Sequence, residues 1–286
     1  MANYQVGLYE KAIPADLSWK ERMEAAGAAG FNSIELSIDE TEARLARLDW
    51  SKREKKELLS AMLDTGIPFS GICLSAHRKY SLGNNDPALW SRGLAIMEKA
   101  LALACDLGIR YIQLAGYDVY YEPSSADTAT RFKDNLAKCV EMAARYGVLL
   151  GFETMETPFM DTVQKAMAYV DAIGSPYLGL YPDLGNLTNA SLLYGHSVPD
   201  DLKTGAGHYI AIHMKETRPG VYRDVPFKTG HVDFGTILPA CWQLGARRYV
   251  TELWYQGSDA WRDDIRDAAA LAHGILQPLD KESENA

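Results

Sequence analysis

Four polar residues each close a short apolar run. They are Glu153 in GVLLGFET (147–154), Asp183 in LGLYPD (178–183), His213 in YIAIHMKE (209–216) and Glu252 in RYVTELW (248–254). Three carboxylates and one imidazole make an N/O donor set suited to one borderline or hard divalent ion, Zn²⁺ or Mn²⁺ first, with Co²⁺ or Mg²⁺ compatible. Singly, each has an ordinary structural use. A strand-end glutamate such as Glu153 is often a salt-bridge partner or helix cap, Asp183 in YPDLGN is a good turn residue, and a lone histidine is more often a hydrogen-bonded core residue. Together they gain weight, because all four fall at the same level of consecutive predicted strands.

That shared level requires an architecture. Predicted strands at 4–10, 33–38, 67–75, 110–116, 147–154, 178–183, 209–216 and 248–254 alternate with helical stretches at 19–30, 51–66, about 87–107, 126–146, around 159–173, near 233–244 and about 258–276, with mixed sequence after the sixth strand. Gly30, Gly66, Gly108, Gly147 and Gly245 follow helical patterns and precede strands, where glycine tolerates the positive φ of a sharp exit from a helix. Eight strand–helix alternations imply parallel strands with crossovers. An open doubly wound sheet is the competitor, but no GxGxxG or GxxxxGK[ST] follows the first strand. The expected fold is therefore a single-domain α/β (β/α)₈ TIM barrel over 1–278, with a polar tail, 279–286, expected to fray. In such barrels the C-terminal strand ends form the active-site mouth.

A chain of 286 residues is long enough for one such barrel, typically about 250 residues. A net charge of -9 argues against a broad nucleic-acid surface, yet leaves room for a small phosphorylated ligand held by a local nest or a few basic side chains. Cys73, Cys105, Cys139 and Cys241 form no CxxC pair and read as structural thiols, with Cys105 and Cys139 expected to be buried in helices. The opening MANYQVGLYEK lacks the pattern of a signal peptide, and no run approaches the roughly 18 apolar residues of a spanning helix, so a cytoplasmic protein with no membrane partner is expected. Tyr117, Tyr120 and Tyr121 after the fourth strand suggest either a lid on their own barrel or a contact within a homo-dimer or homo-tetramer.

The motifs LSAHRKYSLG (74–83), FETMETPFM (152–160), YPDLGN (181–186), HMKETRPG (213–220), FKTGHVDF (227–234) and TELW (251–254) resemble those of the sugar-phosphate isomerase and epimerase family on the xylose-isomerase-like barrel, specifically its L-ribulose-5-phosphate 3-epimerases. The resemblance covers nearly the whole chain. It implies that Glu153, Asp183, His213 and Glu252 bind the metal, that Glu153 and Glu252 are the catalytic acid/base pair, and that Glu156 and Arg218 contact substrate or align the metal shell. His77 and Arg78 after the third strand, and Lys228 and His231 before the seventh helix, are further substrate or phosphate candidates. Relatives acting on free ketoses commonly carry a histidine three residues after the strand-six aspartate, where this chain has Asn186. That departure is compatible with a phosphorylated substrate.

The implied chemistry suits the side chains. Epimerisation at C3 of a 2-ketose removes a weakly acidic proton beside a carbonyl, which a divalent ion would polarise while stabilising the enediolate. Inversion needs a base on one face and an acid on the other, hence two glutamates from non-adjacent strands. Other readings use related parts. A free-ketose epimerase, an aldose–ketose isomerase or an inosose dehydratase could share the constellation. A multi-zinc DNA endonuclease needs more ligands, and His196, His208 and His273 lie off the strand ends. A non-catalytic sugar-binding module would need the ligands but no proton carriers.

Overall fold

The computed structural model describes residues 2–284. Among these, eight strands form one sheet: β1 (Gln5–Tyr9), β2 (Ser33–Ser37), β3 (Phe69–Leu74), β4 (Tyr111–Ala115), β5 (Leu149–Glu153), β6 (Leu178–Leu180), β7 (Ile212–Met214) and β8 (Arg248–Thr251). Neighbours are parallel in the order β6-β5-β4-β3-β2-β1-β8-β7. Parallel bridges Leu180↔Tyr209 and Asp183↔His213 join the two ends and close the barrel. Outside lie α1 (Trp19–Ala29), α2 (Glu42–Leu45), α3 (Lys52–Thr65), α4 (Pro87–Leu107), α5 (Ala126–Tyr146), α6 (Val163–Ile173), α7 (Leu184–Tyr194), α8 (Val198–Lys203), α9 (Phe234–Gln243) and α10 (Trp261–Glu284).

Alternation along the strands divides the core in two. One face of each strand, including Leu8, Ile34, Leu36, Ile72, Leu114, Phe152 and Ile212, packs against apolar helix faces such as Met23, Leu101, Leu136 and Leu238. The other face fills the barrel with Tyr9, Cys73, Tyr111, Tyr181 and Val250, together with buried Glu35, Ser37, Gln113 and His213. Space there is scarce: a Cβ at Gly71 would run into the Tyr111 ring. The five anticipated turn glycines all have positive φ, from 65° at Gly147 to 104° at Gly30.

The elements differ from the sequence reading where side chains compete with the ladder. β6 stops at Leu180 because Pro182, two residues on, has no N–H to donate, and Asp183 instead caps α7. α6 begins at Val163, capped by Thr162, so residues 159–162 of the expected helix are loop. α10 continues through Pro278 to Glu284; Asp280 is buried and accepts from Asn3, so the described part of the expected tail is packed helix. Asn285 and Ala286 lie outside the described residues. Cys105 is exposed on the last turn of α4, whereas Cys73, Cys139 and Cys241 are buried.

His77 is also placed by packing. It is buried beneath α4, and its Nε2 donates to the Gly93 carbonyl at 3.0 Å. Burial lowers its pKa from 6.5 to about 4, with the Gly93 carbonyl opposing. The unfolded chain then binds a proton between pH 6.5 and pH 4 that the folded chain refuses. Folding is therefore favoured above pH 6.5 and loses about 3 kcal/mol from this group as the pH falls to 4. Urea unfolding of His77→Gln across this range is expected to show a shallower pH dependence than the wild type; identical slopes would refute a buried neutral imidazole.

Candidate active site

Four chain segments bring the donor set together. Glu153 is the last residue of β5 and His213 the middle residue of β7. Glu252 directly follows β8, its N–H donating to the Met214 carbonyl at 2.8 Å. Asp183 bridges to His213 while its Oδ1 accepts from Asn186 N at 2.6 Å, so one carboxylate oxygen caps α7 and the other is left for the barrel mouth. Turn residue and candidate ligand were alternatives for Asp183 in the sequence; the carboxylate has an oxygen for each.

All four are buried, and one donor atom from each lies within 4.8 Å of the others. His213 Nδ1 is 2.9 Å from Glu153 Oε1 and 3.6 Å from Glu252 Oε2. Asp183 Oδ2 and Glu252 Oε2 are buried with no hydrogen-bond partner. The nearest cation is Lys215 Nζ, at 3.1 and 3.5 Å, too poorly aligned to count as a hydrogen-bond donor. Buried, unsatisfied carboxylate oxygens beside an imidazole nitrogen fit a divalent cation, and the mixed O/N donors suit Zn²⁺ or Mn²⁺ as well as harder ions. The cluster can hold one metal ion.

The proton affinities record the same crowding. Burial pushes Glu153 up, and the Glu252 charge adds to it against His213. Burial lifts Asp183 to about 8 despite Lys215. Burial would also raise Glu252, but the Lys215 ammonium and then His213 outweigh it and hold the carboxyl at about 2. Burial opposes charging His213, yet Glu35, Glu153 and Glu252 keep its pKa well above the ordinary value. A bound cation would replace these protons as the source of positive charge.

The mouth above the cluster is a narrow cavity of about 40 Å³, lined by Glu153 and Glu252 and by Lys11, Arg78, Glu156, Asn186, Lys215, Tyr222, Arg223 and Trp254, among others. Larger hollows lie between α1 and α3 and at the opposite end of the barrel near Gly179 and His208, and neither reaches the donor cluster. Of the six further candidates from sequence, Arg78 and Glu156 line the cavity and four do not. His77 faces α4. Arg218 is exposed and holds Thr229 across its own loop, at 3.1 Å from Nε to the carbonyl and 3.2 Å from Nη2 to Oγ1. Lys228 extends toward Asp267, 3.8 Å away, and His231 Nε2 meets Thr217 Oγ1 at 3.0 Å. The Glu216 carboxylate organises this loop by accepting from the backbone N–H groups of Thr217, Lys228 and Val232.

The tyrosines after β4 pack on their own barrel. Tyr117 is buried and donates to Glu156, Tyr120 packs edge-on against it, and exposed Tyr121 donates to Glu40 at 2.7 Å. Sequence reasoning missed Glu35, Gln113, Lys215 and Arg223. Gln113 donates to Glu153, and Glu35 faces His213. Period-two reading would have found the first three, since Glu35 in SIELS, Gln113 in YIQLA and Lys215 after His213 share the barrel-facing phase of their strands.

A closed parallel barrel with one N/O donor cluster at its C-terminal mouth defines a metal-site (β/α)₈ enzyme. A family model described as the xylose isomerase-like TIM barrel matches residues 23–272. The L-ribulose-5-phosphate 3-epimerase UlaE of Salmonella paratyphi A is 44% identical over 255 residues, 89% of this chain and 88% of that protein. The chain belongs to this family of barrel epimerases, which are isomerases. The fold is shared with a solved D-psicose 3-epimerase in the presence of D-fructose (TM-score 0.77, 19% identity, 95% of this chain and 99% of that one) and with L-ribulose 3-epimerase (TM-score 0.75, 20% identity, 99% and 97%). No helix among the described residues is long and apolar enough to cross a membrane.

Asp183→Asn tests the dual role of Asp183. Asparagine caps a helix about as well as aspartate, so α7 should persist while an anionic donor is lost. A metal at one hundred times its Kd stabilises a folded chain by about 2.7 kcal/mol. Calorimetry with and without Mn²⁺ should show a raised Tm in the wild type and a much smaller rise in the variant. Equal rises would remove Asp183 from the donor set.

Proposed function

We propose that this chain catalyses metal-dependent 3-epimerisation of a ketopentose phosphate, interconverting L-ribulose 5-phosphate and L-xylulose 5-phosphate. The observation that carries the reading is that Glu153 and Glu252, from the non-adjacent strands β5 and β8, border one cavity and share one donor cluster. The sequence relationship to the UlaE epimerase supports the substrate class. A divalent ion held by Glu153, Asp183, His213 and Glu252, with Zn²⁺ or Mn²⁺ preferred, would supply Lewis acidity toward the ketose oxygens.

The remaining work falls to side chains. One glutamate takes the C3 proton and the other delivers a proton to the opposite face, the two exchanging roles with reaction direction. A single base would return the proton to the face it left. Gln113 donates to Glu153 and restricts its carboxylate to one orientation. Asn186 Oδ1 is buried without a donor while its Nδ2 is spent on the Thr154 carbonyl at 2.7 Å, so this oxygen is free to accept from a sugar hydroxyl. Glu156, held by Tyr117, supplies a second hydroxyl acceptor.

The phosphate end is assigned to Arg78 and Arg223. Arg78 Nε is buried with no acceptor, and the guanidinium lies 4.9 Å from the Tyr120 ring centre and 5.8 Å from that of Tyr117. Among the described residues neither arginine is in a salt bridge, although Glu156 faces Arg78, whereas Lys11 is committed to Asp39 at 2.6 Å. Arg218, Lys228 and His231 act further out, by fixing the loop that carries Tyr222 and Arg223.

Proton NMR of L-ribulose 5-phosphate in D₂O with metal-loaded enzyme should show L-xylulose 5-phosphate carrying deuterium at C3. Glu153→Gln and Glu252→Gln should each lower the rate by about 10²–10⁴-fold, the usual worth of a positioned acid or base. Exchange with an unphosphorylated ketose alone would move the substrate assignment to free sugars. Absence of exchange with either would refute epimerisation.

Arg78→Met should raise KM for the phosphorylated ketose about tenfold to a hundredfold with a smaller change in kcat, the range for losing a charge-assisted hydrogen bond. Inorganic phosphate should compete with substrate in the wild type and only weakly in the variant. An unchanged KM would place the phosphate elsewhere.

A further inference from the structure

One buried carboxylate lies outside the donor cluster yet touches it. Glu35, on β2, is fully buried and faces across the barrel, since β1 and β8 intervene between β2 and β7. Its Oε2 is 2.8 Å from His213 Nε2, and its Oε1 accepts from the Tyr181 hydroxyl at 2.6 Å. The register between β2 and β3 slips here: Ile34 pairs with Phe69 but Leu36 pairs with Ile72, so two residues of β3 oppose Glu35 alone. Such bulges re-aim a side chain beside a site. The Tyr181 ring, 4.7 Å from the imidazole centre, closes one side of the same contact.

We infer that Glu35 is a positioning residue that fixes the His213 tautomer, accepting Nε2–H so that Nδ1 presents its lone pair to the metal. A neutral imidazole carries one N–H, and whichever nitrogen donates leaves the other as the ligand. His213 has a carboxylate at each nitrogen, so these neighbours alone do not choose the tautomer. Geometry chooses it: Nδ1 faces Glu153 and Glu252, which belong to the donor cluster, while Nε2 faces only Glu35, whose other oxygen is already engaged by Tyr181. With Oε1 already accepting from the Tyr181 hydroxyl, Glu35 serves as the acceptor at Oε2 as well, and the proton on this contact comes from the histidine. Carboxylates in this position orient a metal-bound histidine and raise its basicity. The inference rests on the proposed metal site and adds a residue to it.

The test uses the full-length chain labelled with ¹⁵N-histidine, with long-range ¹H–¹⁵N NMR before and after zinc loading. His213 should show a protonated Nε2 and an Nδ1 resonance that shifts on loading; a protonated Nδ1 with a metal-shifted Nε2 would overturn the inference. Zinc affinity, read by competition with a chromophoric chelator, should stay within about threefold of wild type in Glu35→Gln, which keeps an acceptor, and weaken about 10–100-fold in Glu35→Leu. A Leu variant as tight as wild type, or a Gln variant as weak as Leu, would also overturn it, the latter by making charge rather than tautomer the determinant. Should the Leu variant fail to fold, the wild-type spectrum and the Gln variant still decide. A His213 signal indifferent to zinc would sink the metal assignment itself, and this inference with it; His213→Ala affinity identifies that case independently.

Discussion

Three carboxylates and an imidazole confined within 4.8 Å, away from bulk water, set the terms for the rest of the molecule. Like charges in a medium of low dielectric repel strongly, and each would be better solvated outside. They remain together because none is on a flexible segment. Glu153 and His213 are in strands, Glu252 is tied by its backbone to β7, and Asp183 is pinned by its cap on α7. The apolar contacts between strands and helices hold those strands at fixed separation, so the core does electrostatic work by preventing the cluster from relaxing apart. Lys215, buried beside Asp183 and Glu252, offsets part of the repulsion.

The loops around the mouth obey a related constraint. Loop backbone near a buried site must find hydrogen-bond partners, and here buried acidic side chains provide many of them. Glu216 gathers three N–H groups of its loop. Asp201 accepts from Val163 and Gln164 at the start of α6, and Asp118 accepts from the Ser124 and Thr128 hydroxyls before and within α5. These contacts tie the loops and helix starts around the mouth to the barrel.

This division explains which parts were legible in the sequence. Strand–helix alternation and strand-end polarity are local signals, and they placed the barrel and the four donors. Glu35 and Gln113 were missed because the reading looked only at strand ends, although strand interiors inside a barrel obey the same alternation. Adjacent residues on the turn after β3 show the opposite limit. Arg78 enters the cavity and His77 faces α4, a choice made by the side-chain directions of one tight turn and by the Gly93 carbonyl, far along the chain. Arg218, Lys228 and His231 sit in a loop whose path is set by Glu216, and no local pattern announces that its basic side chains fold back on the loop rather than over the mouth.

The charge balance of the mouth bears on how an acidic protein would take the anionic substrate proposed for it. The chain carries a net charge of -9, which taken as a whole would repel a sugar phosphate. At physiological salt the Debye length is about 8 Å, so surface charges on the far side of the barrel contribute little at the cavity. A ligand at the mouth meets local charge instead, with cationic and anionic side chains both present in the lining. The four donors are buried, where a cation can neutralise them, while Arg78, whose charge is met by Glu156, and Arg223 line the cavity without a salt bridge. A ligand with an oxygen-rich ketose at one end and a dianion at the other matches that polarity in one orientation. For the ketose phosphate proposed above, reversal would set the phosphate against Glu153 and Glu252 and leave Arg78 Nε without an acceptor, so charge placement favours one orientation of that ligand.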